Sequence, residues 1–339
     1  MKIVISRIVK AVGIVLTLSS MNAAAQSISM SYVTVGNPGN AADTATGSLY
    51  GSVCYTYDIG EYDVTDSQYA AFLNDVDPTG ANTLALYNTS MTIDAEGGIN
   101  FNSGAANGLK FSIKTGYTSM PVVDVDYWDT LRFVNWMNNG EGNASTETGA
   151  YTLIGGNTDG YGTPSNASTL LANPQHNAGA TVWLPSENEW YKAAYYDPAN
   201  GTYSIYATQS NTAPGNIIGG GSNEANYYNG GYTHPGPNYL TAVGSFTGSK
   251  SYYGTYDQSG DVYNWEATTV SSQYPVLRGG NWDDVSNDLS SSNRGSYYPT
   301  NEHDTIGFRV ASVPEPNSIM LMMAAGATSL LVLRRRRRS

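Results

Sequence analysis

The stretch Tyr253–Ala267 (YGTYDQSGDVYNWEA), with Leu277–Trp282 (LRGGNW) and Ile306–Val310 (IGFRV) after it, decides how this chain folds. Its Trp and Tyr residues bury large areas and organise a core around loops. Arg278 and Arg309 each stand in apolar sequence. Both are therefore expected inside and paired with acids such as Asp126 or Glu189, because a lone buried arginine is costly. Gly279, Gly280 and Gly307 mark places where backbone approaches closely or φ is positive. Trp282 and Phe308 complete this structural set. None of these roles requires catalysis.

Working outward, three helices have readable starts. Thr65-Asp66-Ser67-Gln68 is a capping box opening a helix through Tyr69, Phe72 and Leu73, ended by Asp77-Pro78-Thr79-Gly80. Asp126 caps a second helix bearing Trp128, Leu131, Phe133, Trp136 and Met137. Ser186-Glu187-Asn188-Glu189 is another box, and its helix runs through Trp190 to about Tyr195. Strands are predicted at Ser29–Val35, Tyr55–Asp63, Gly149–Leu153, Thr181–Leu184, Val276–Arg278 and Gly307–Ala311. Segments 139–180 and 198–250 hold few apolar residues and read as long loops, of the kind that carries function or metal as often as it is mere decoration. Helices spaced among scattered strands indicate an α+β fold.

Both ends read as targeting segments. Lys2, Arg7 and Lys10 precede an apolar run Ala11–Leu18 and small residues Ala23–Ala25, which predicts a signal peptide at 1–25. At 313–339, Val313-Pro314-Glu315-Pro316 precedes an apolar run Ile319–Leu333 and the arginines Arg334–Arg338. The run is short of the roughly 20 residues that a membrane span wants; the arginines favour the cytoplasmic side. This tail resembles the PEP-CTERM sorting signal, with Pro314, Glu315 and Pro316 as its motif. The resemblance implies a Gram-negative bacterium, an exosortase partner, an inner-membrane-anchored precursor, and a final place at the cell surface or in the extracellular matrix. The same pattern also suits an ordinary C-terminal anchor.

Between these ends lie residues 26–312, with 8 Lys+Arg against 27 Asp+Glu, or about −19. Nucleic acid is a poor partner for such a surface and cations are good ones. Cys54 is the single cysteine, so no intramolecular disulfide forms; it reads as a small buried hydrophobe. His176, His234 and His303 are too scattered to predict a metal centre.

Taken in order with Tyr57–Leu73, Met120–Met137 and Val182–Ala194, the opening stretch resembles the formylglycine-generating enzyme, or sulfatase-modifying-factor, family across nearly all of 50–312. The resemblance implies a modified C-type-lectin-like fold, loop-rich and low in regular secondary structure. Active members bind copper through two cysteines just after the GG-aromatic motif, and soft thiolates suit Cu(I). The matching positions here fall near Asp284 and Leu289, and Asn281–Arg309 contains no cysteine. No copper and no formylglycine production are therefore expected. A related branch uses iron held by histidines of an additional domain, and no such domain is expected here. Acidic pairs such as Asp283/Asp284 leave open an unrelated carboxylate site acting on a glycan, but nothing fixes their separation.

The resemblance also implies calcium. Asp257 and Asn264 would give side-chain oxygens and Gly260 and Val262 backbone carbonyls, which are hard donors in a Gly-containing turn. Asn264 replaces a usual glutamate, which removes a charge. A second set would be Asn226, Tyr227, Asn238 and Leu240. The leading functional reading is an exported, non-catalytic module binding a ligand or extracellular polysaccharide. The alternatives are a formylglycine-type oxidoreductase and a self-associating structural matrix protein.

Overall fold

Local capping chemistry starts the helices that frame the core. In the computed structural model, which describes residues 27–155 and 159–314, Thr65, Asp126 and Ser186 each accept a hydrogen bond from the backbone three residues on. In each case the third residue's side chain (Gln68, Asp129 and Glu189) accepts in return from the cap's own N–H. The signal-peptide reading, the apolar tail, Glu315 and Pro316 lie outside the described residues.

In chain order the elements are β1 (Tyr32–Val35), β2 (Tyr57–Gly60), α1 (Asp66–Val76), α2 (Ser90–Ile93), β3 (Ile99–Phe101), β4 (Phe111–Ile113), α3 (Tyr127–Asn138), α4 (Ala167–Ala172), β5 (Val182–Trp183), α5 (Glu187–Tyr195), β6 (Tyr196–Asp197), β7 (Thr202–Tyr203), β8 (Tyr263–Val270), β9 (Tyr274–Arg278), β10 (Gly295–Ser296), β11 (Ile306–Phe308) and β12 (Ala311–Ser312). One sheet has the order β1-β2-β12-β5 and is antiparallel throughout. The other, β10-β9-β8-β11, ends in a parallel pair that sets Phe308 opposite Trp265. The pairs β3-β4 and β6-β7 stand apart as two-stranded sheets. Among the described residues no helix is long and apolar enough to cross a membrane.

Aromatic side chains join these layers. Tyr69 and Phe72 of α1 meet Phe133 and Trp136 of α3 at ring separations of 5.3–6.0 Å, and Phe133 meets Phe308 edge-on at 5.2 Å. All five rings are fully buried; truncating one such ring to alanine costs about 3–5 kcal/mol.

The predicted strand at Gly149–Leu153 does not form. Ala150, Tyr151 and Leu153 are buried, but Asn135 of α3 takes both backbone bonds of Tyr151, at 2.7 and 3.0 Å, in place of a ladder. The predicted Gly307–Ala311 strand divides into β11 and β12, because Arg309 turns inward between them. The longest strand, β8, went unread behind its Gly- and Asp-rich approach.

Candidate functional site

Arg309 and Arg278 hold the framework of the site, and their acid partners differ from those expected. Arg309 pairs with Asp63 at 2.8 Å, both side chains fully buried, and not with Asp126 or Glu189. It also donates to Asn264 Oδ1 at 2.8 Å and to the carbonyls of Gly60 and Tyr256. Burial pushes the Asp63 carboxyl up, while Arg309 and Asn264 pull it back. Arg278 pairs with Glu187 at 2.7 Å, and Arg294 shares the same oxygen at 2.7 Å. Its remaining donors hold the carbonyls of Ser291 and Asn293 at 2.8 and 2.6 Å, and Tyr50 covers its guanidinium at 4.6 Å. Every partner is thus fixed by tertiary position, which local sequence spacing does not reveal.

The turn that follows Arg278 is tightly built. Gly280 has φ 75°, and a Cβ there would sit 2.7 Å from Leu289 Cδ1, so only glycine fits. Asp284 accepts from Asn281 N and Nδ2 at 3.1 and 2.9 Å, and burial raises its carboxyl above the ordinary range. Leu289 is fully buried and packs with Tyr206, Ala225 and Tyr227. Asp283, one residue away, is exposed.

Beside this turn lies an aromatic surface. Trp282 packs on Val123, Leu240 and Val262 and stacks with Tyr239 at 4.8 Å and 17°. Tyr232 lies 4.2 Å from Tyr239, and Tyr228 meets Tyr232 edge-on at 5.0 Å. Tyr228 and Tyr232 are 39% and 41% exposed. The Tyr232 hydroxyl donates to Asp283 Oδ1 at 2.8 Å. The sequence reading left this segment open between function and decoration and singled out only Tyr227, as a calcium candidate; the signal for a surface was present in Tyr227, Tyr228, Tyr232 and Tyr239, crowded into an otherwise apolar-poor segment.

The model for the Sulfatase-modifying factor enzyme 1-like domain matches residues 24–313. The chain belongs to the sulfatase-modifying factor family. The PEP-CTERM protein-sorting motif matches 312–338, so the chain carries the signal that exosortases recognise for export to the Gram-negative cell envelope. Among solved structures it is similar to CarF, at 18% identity and TM-score 0.53, covering 85% of this chain and 99% of that one. It is also similar to Treponema denticola variable protein 1 (18%, TM-score 0.48, 84% and 95% covered) and to PvdO from Pseudomonas aeruginosa (20%, 0.44, 84% and 92%). No curated protein matches. CarF and the family model together identify the α+β, loop-rich architecture as the sulfatase-modifying-factor fold.

Asp284 and Leu289 are the residues nearest the positions that the sequence resemblance matched to the copper thiolates. A hydrogen-bonded carboxylate and a buried isobutyl group do not fit a Cu(I) site, which wants soft sulfur. The single cysteine, Cys54, is exposed in the approach to β2 and is not the buried hydrophobe expected. Among the described residues, no three His, Cys, Asp or Glu side chains are placed to hold a metal ion.

The two calcium sets differ in how they are assembled. Asn264 Oδ1 faces the N–H groups of Trp190 and Arg309, both at 2.8 Å, and its amide nitrogen donates to Asp63. Trp and Arg only donate, so this oxygen is fully engaged. Asp257 instead accepts from Gly244 N at 2.7 Å. Gly260 and Val262 lie between them in the chain, and Gly260 N donates to Gly279 O. In the first set, then, the Asn264 side-chain oxygen is already taken up by Trp190 and Arg309. In the second set, Asn226 donates to Tyr239 O at 2.8 Å, between Asn238 and Leu240, and Asn238 accepts from Leu240 N at 2.9 Å. Tyr227 follows Asn226 directly, and its hydroxyl donates to Pro214 O. Asn226, Asn238 and Leu240 are brought together.

Proposed function

We propose that the exported chain is a non-catalytic module that binds extracellular polysaccharide at the cell surface or in the matrix. The observation that carries this is the exposed Tyr228–Tyr232 surface, which lies beside Asp284 and Leu289, the residues matched by resemblance to the copper thiolates and both absorbed into structure. Aromatic rings offer faces for the apolar side of a pyranose, and Asp283 adds a hydrogen-bond acceptor. Calcium, where it binds, is held by the second set (Asn226, Tyr227, Asn238 and Leu240), with neutral oxygens that give modest affinity. The apolar tail anchors the precursor in the inner membrane until exosortase acts.

A glycan array, with a pull-down on matrix polysaccharide, tests the reading; selective retention supports it. No retention on any glycan removes it. The competing oxidoreductase reading is tested with a sulfatase-motif peptide, copper and dioxygen, scored by mass. Conversion above that of a Cys54→Ala control overturns the non-catalytic assignment.

A further inference from the structure

Resting on the polysaccharide reading, we propose that the Tyr228–Tyr232–Asp283 surface selects a cationic amino-sugar polymer, its ring faces on the tyrosines and a protonated amine at Asp283. The exposed rings of Tyr228 and Tyr232 do not move freely. Tyr228 N donates to Asp284 O at 2.9 Å, tying the tyrosine loop to the turn after Gly280. Tyr232 is backed by Tyr239, and Tyr239 by Trp282, down to the apolar floor. Ring surface held in place costs little entropy when a ligand stacks on it.

Charge decides which sugar. Asp283 Oδ1 accepts one bond, from Tyr232, and a carboxylate has about four lone-pair positions. Room therefore remains for an ammonium donor. Beneath the rings, Tyr239 N donates to the buried Glu96 Oε1 and the Trp282 indole to the Asp304 carbonyl, both at 3.4 Å. Neither 226–240 nor 279–293 contains a lysine or arginine. With about −19 on residues 26–312, a uronate polymer is repelled and a neutral glycan gains only stacking. A polymer of unacetylated hexosamine gains both stacking and charge-assisted hydrogen bonds, which are roughly twice as strong as neutral ones.

The test is calorimetric titration of the full chain in detergent with hexamers of glucosamine, N-acetylglucosamine and a uronic acid, and with spermine, which carries charge and no ring. The expected result is binding of the glucosamine hexamer at least tenfold tighter than the acetylated hexamer or spermine, and no binding of the uronate. Asp283→Asn is expected to bring the glucosamine and N-acetylglucosamine affinities within threefold of each other. Combining Tyr228→Ala with Tyr232→Ala is expected to weaken the glucosamine hexamer at least tenfold, leaving spermine unchanged. These residues are exposed, and near-UV circular dichroism confirms that the variants are folded. Equal affinity for charged and acetylated hexamers, tighter spermine binding, or indifference to Asp283→Asn overturns the inference. Retention of an acetylated or uronate polymer alone overturns it while the polysaccharide reading stands; loss of all glycan binding removes both.

Discussion

In the capping box of α5, Glu189 Oε2 accepts from Ser186 N and Oγ at 2.8 and 2.7 Å, and Oε1 accepts from the Trp183 indole and the Tyr55 hydroxyl at 3.0 and 3.1 Å. In that of α3, Asp129 Oδ2 accepts from Asp126 N and Asp126 Oδ1 from Asp129 N, but Asp129 Oδ1 and Asp126 Oδ2 are buried without a partner. Burial, joined by the charge of Asp129 on Asp126 and of Glu302 on both, pushes this pair well above the ordinary carboxylate range. The same local motif thus places a carboxylate in each core, while the surrounding fold decides whether it finds donors or has to hold a proton.

The contrast breaks first at Glu189. Glu189→Ala strips an acceptor from four donors and is expected to cost about 3–5 kcal/mol, since each buried group left unpaired costs about 1–3 kcal/mol. Urea unfolding measures it, and a loss below about 1 kcal/mol removes the distinction between the boxes.

The second effect is on pH. Asp126 and Asp129 are raised, and burial also lifts Asp124 and Glu302 to about 7. Unfolded carboxyls release their protons near pH 4, so the folded state binds more protons above that. Stability from these groups is fully present below about pH 4 and falls as pH rises, by up to about 1.4 kcal/mol per pH unit per group, through pH 7 and beyond for the pair. Unfolding at pH 5, 6, 7 and 8 should show a decline that Asp129→Asn makes shallower. A flat profile in the wild type contradicts the assignment.

Smaller still is calcium. If the proposed second set binds with a dissociation constant of about 10⁻⁴ M, usual for extracellular modules, 10 mM calcium is expected to add about 2.7 kcal/mol. Thermal unfolding in chelator and in calcium should differ, and Asn226→Ala should abolish the difference while Asp257→Asn preserves it. The least effect is at α1, whose box is neutral: Thr65→Ala should cost about 1 kcal/mol with no change in pH dependence, read from the same pH series.

Much of the framework was legible because it is local. Thr65-Gln68 and Ser186-Glu189 declare their helices through spacing alone, and the ordered run from Tyr57 to Val310 identified the fold. What stayed hidden depends on long-range contacts. Arg309 finds Asp63 across 246 residues and Arg278 finds Glu187 across 91. The strand-like 149–153 segment surrenders its backbone to Asn135, whose side chain competes with any ladder. The candidate surface was half visible, since Trp282 was singled out by its motif. Its tyrosine partners come from a loop with no periodicity to read.

The strand β12 comes last in the domain, immediately before the sorting tail, yet it lies inside its sheet between β2 and β5, with Ala311 opposite both Ile59 and Trp183. An interior strand contributed by the final residues means that the sheet cannot close until synthesis of the domain has finished. Folding is thereby coupled to chain completion, and a polypeptide still threading outward lacks the piece that would lock it prematurely.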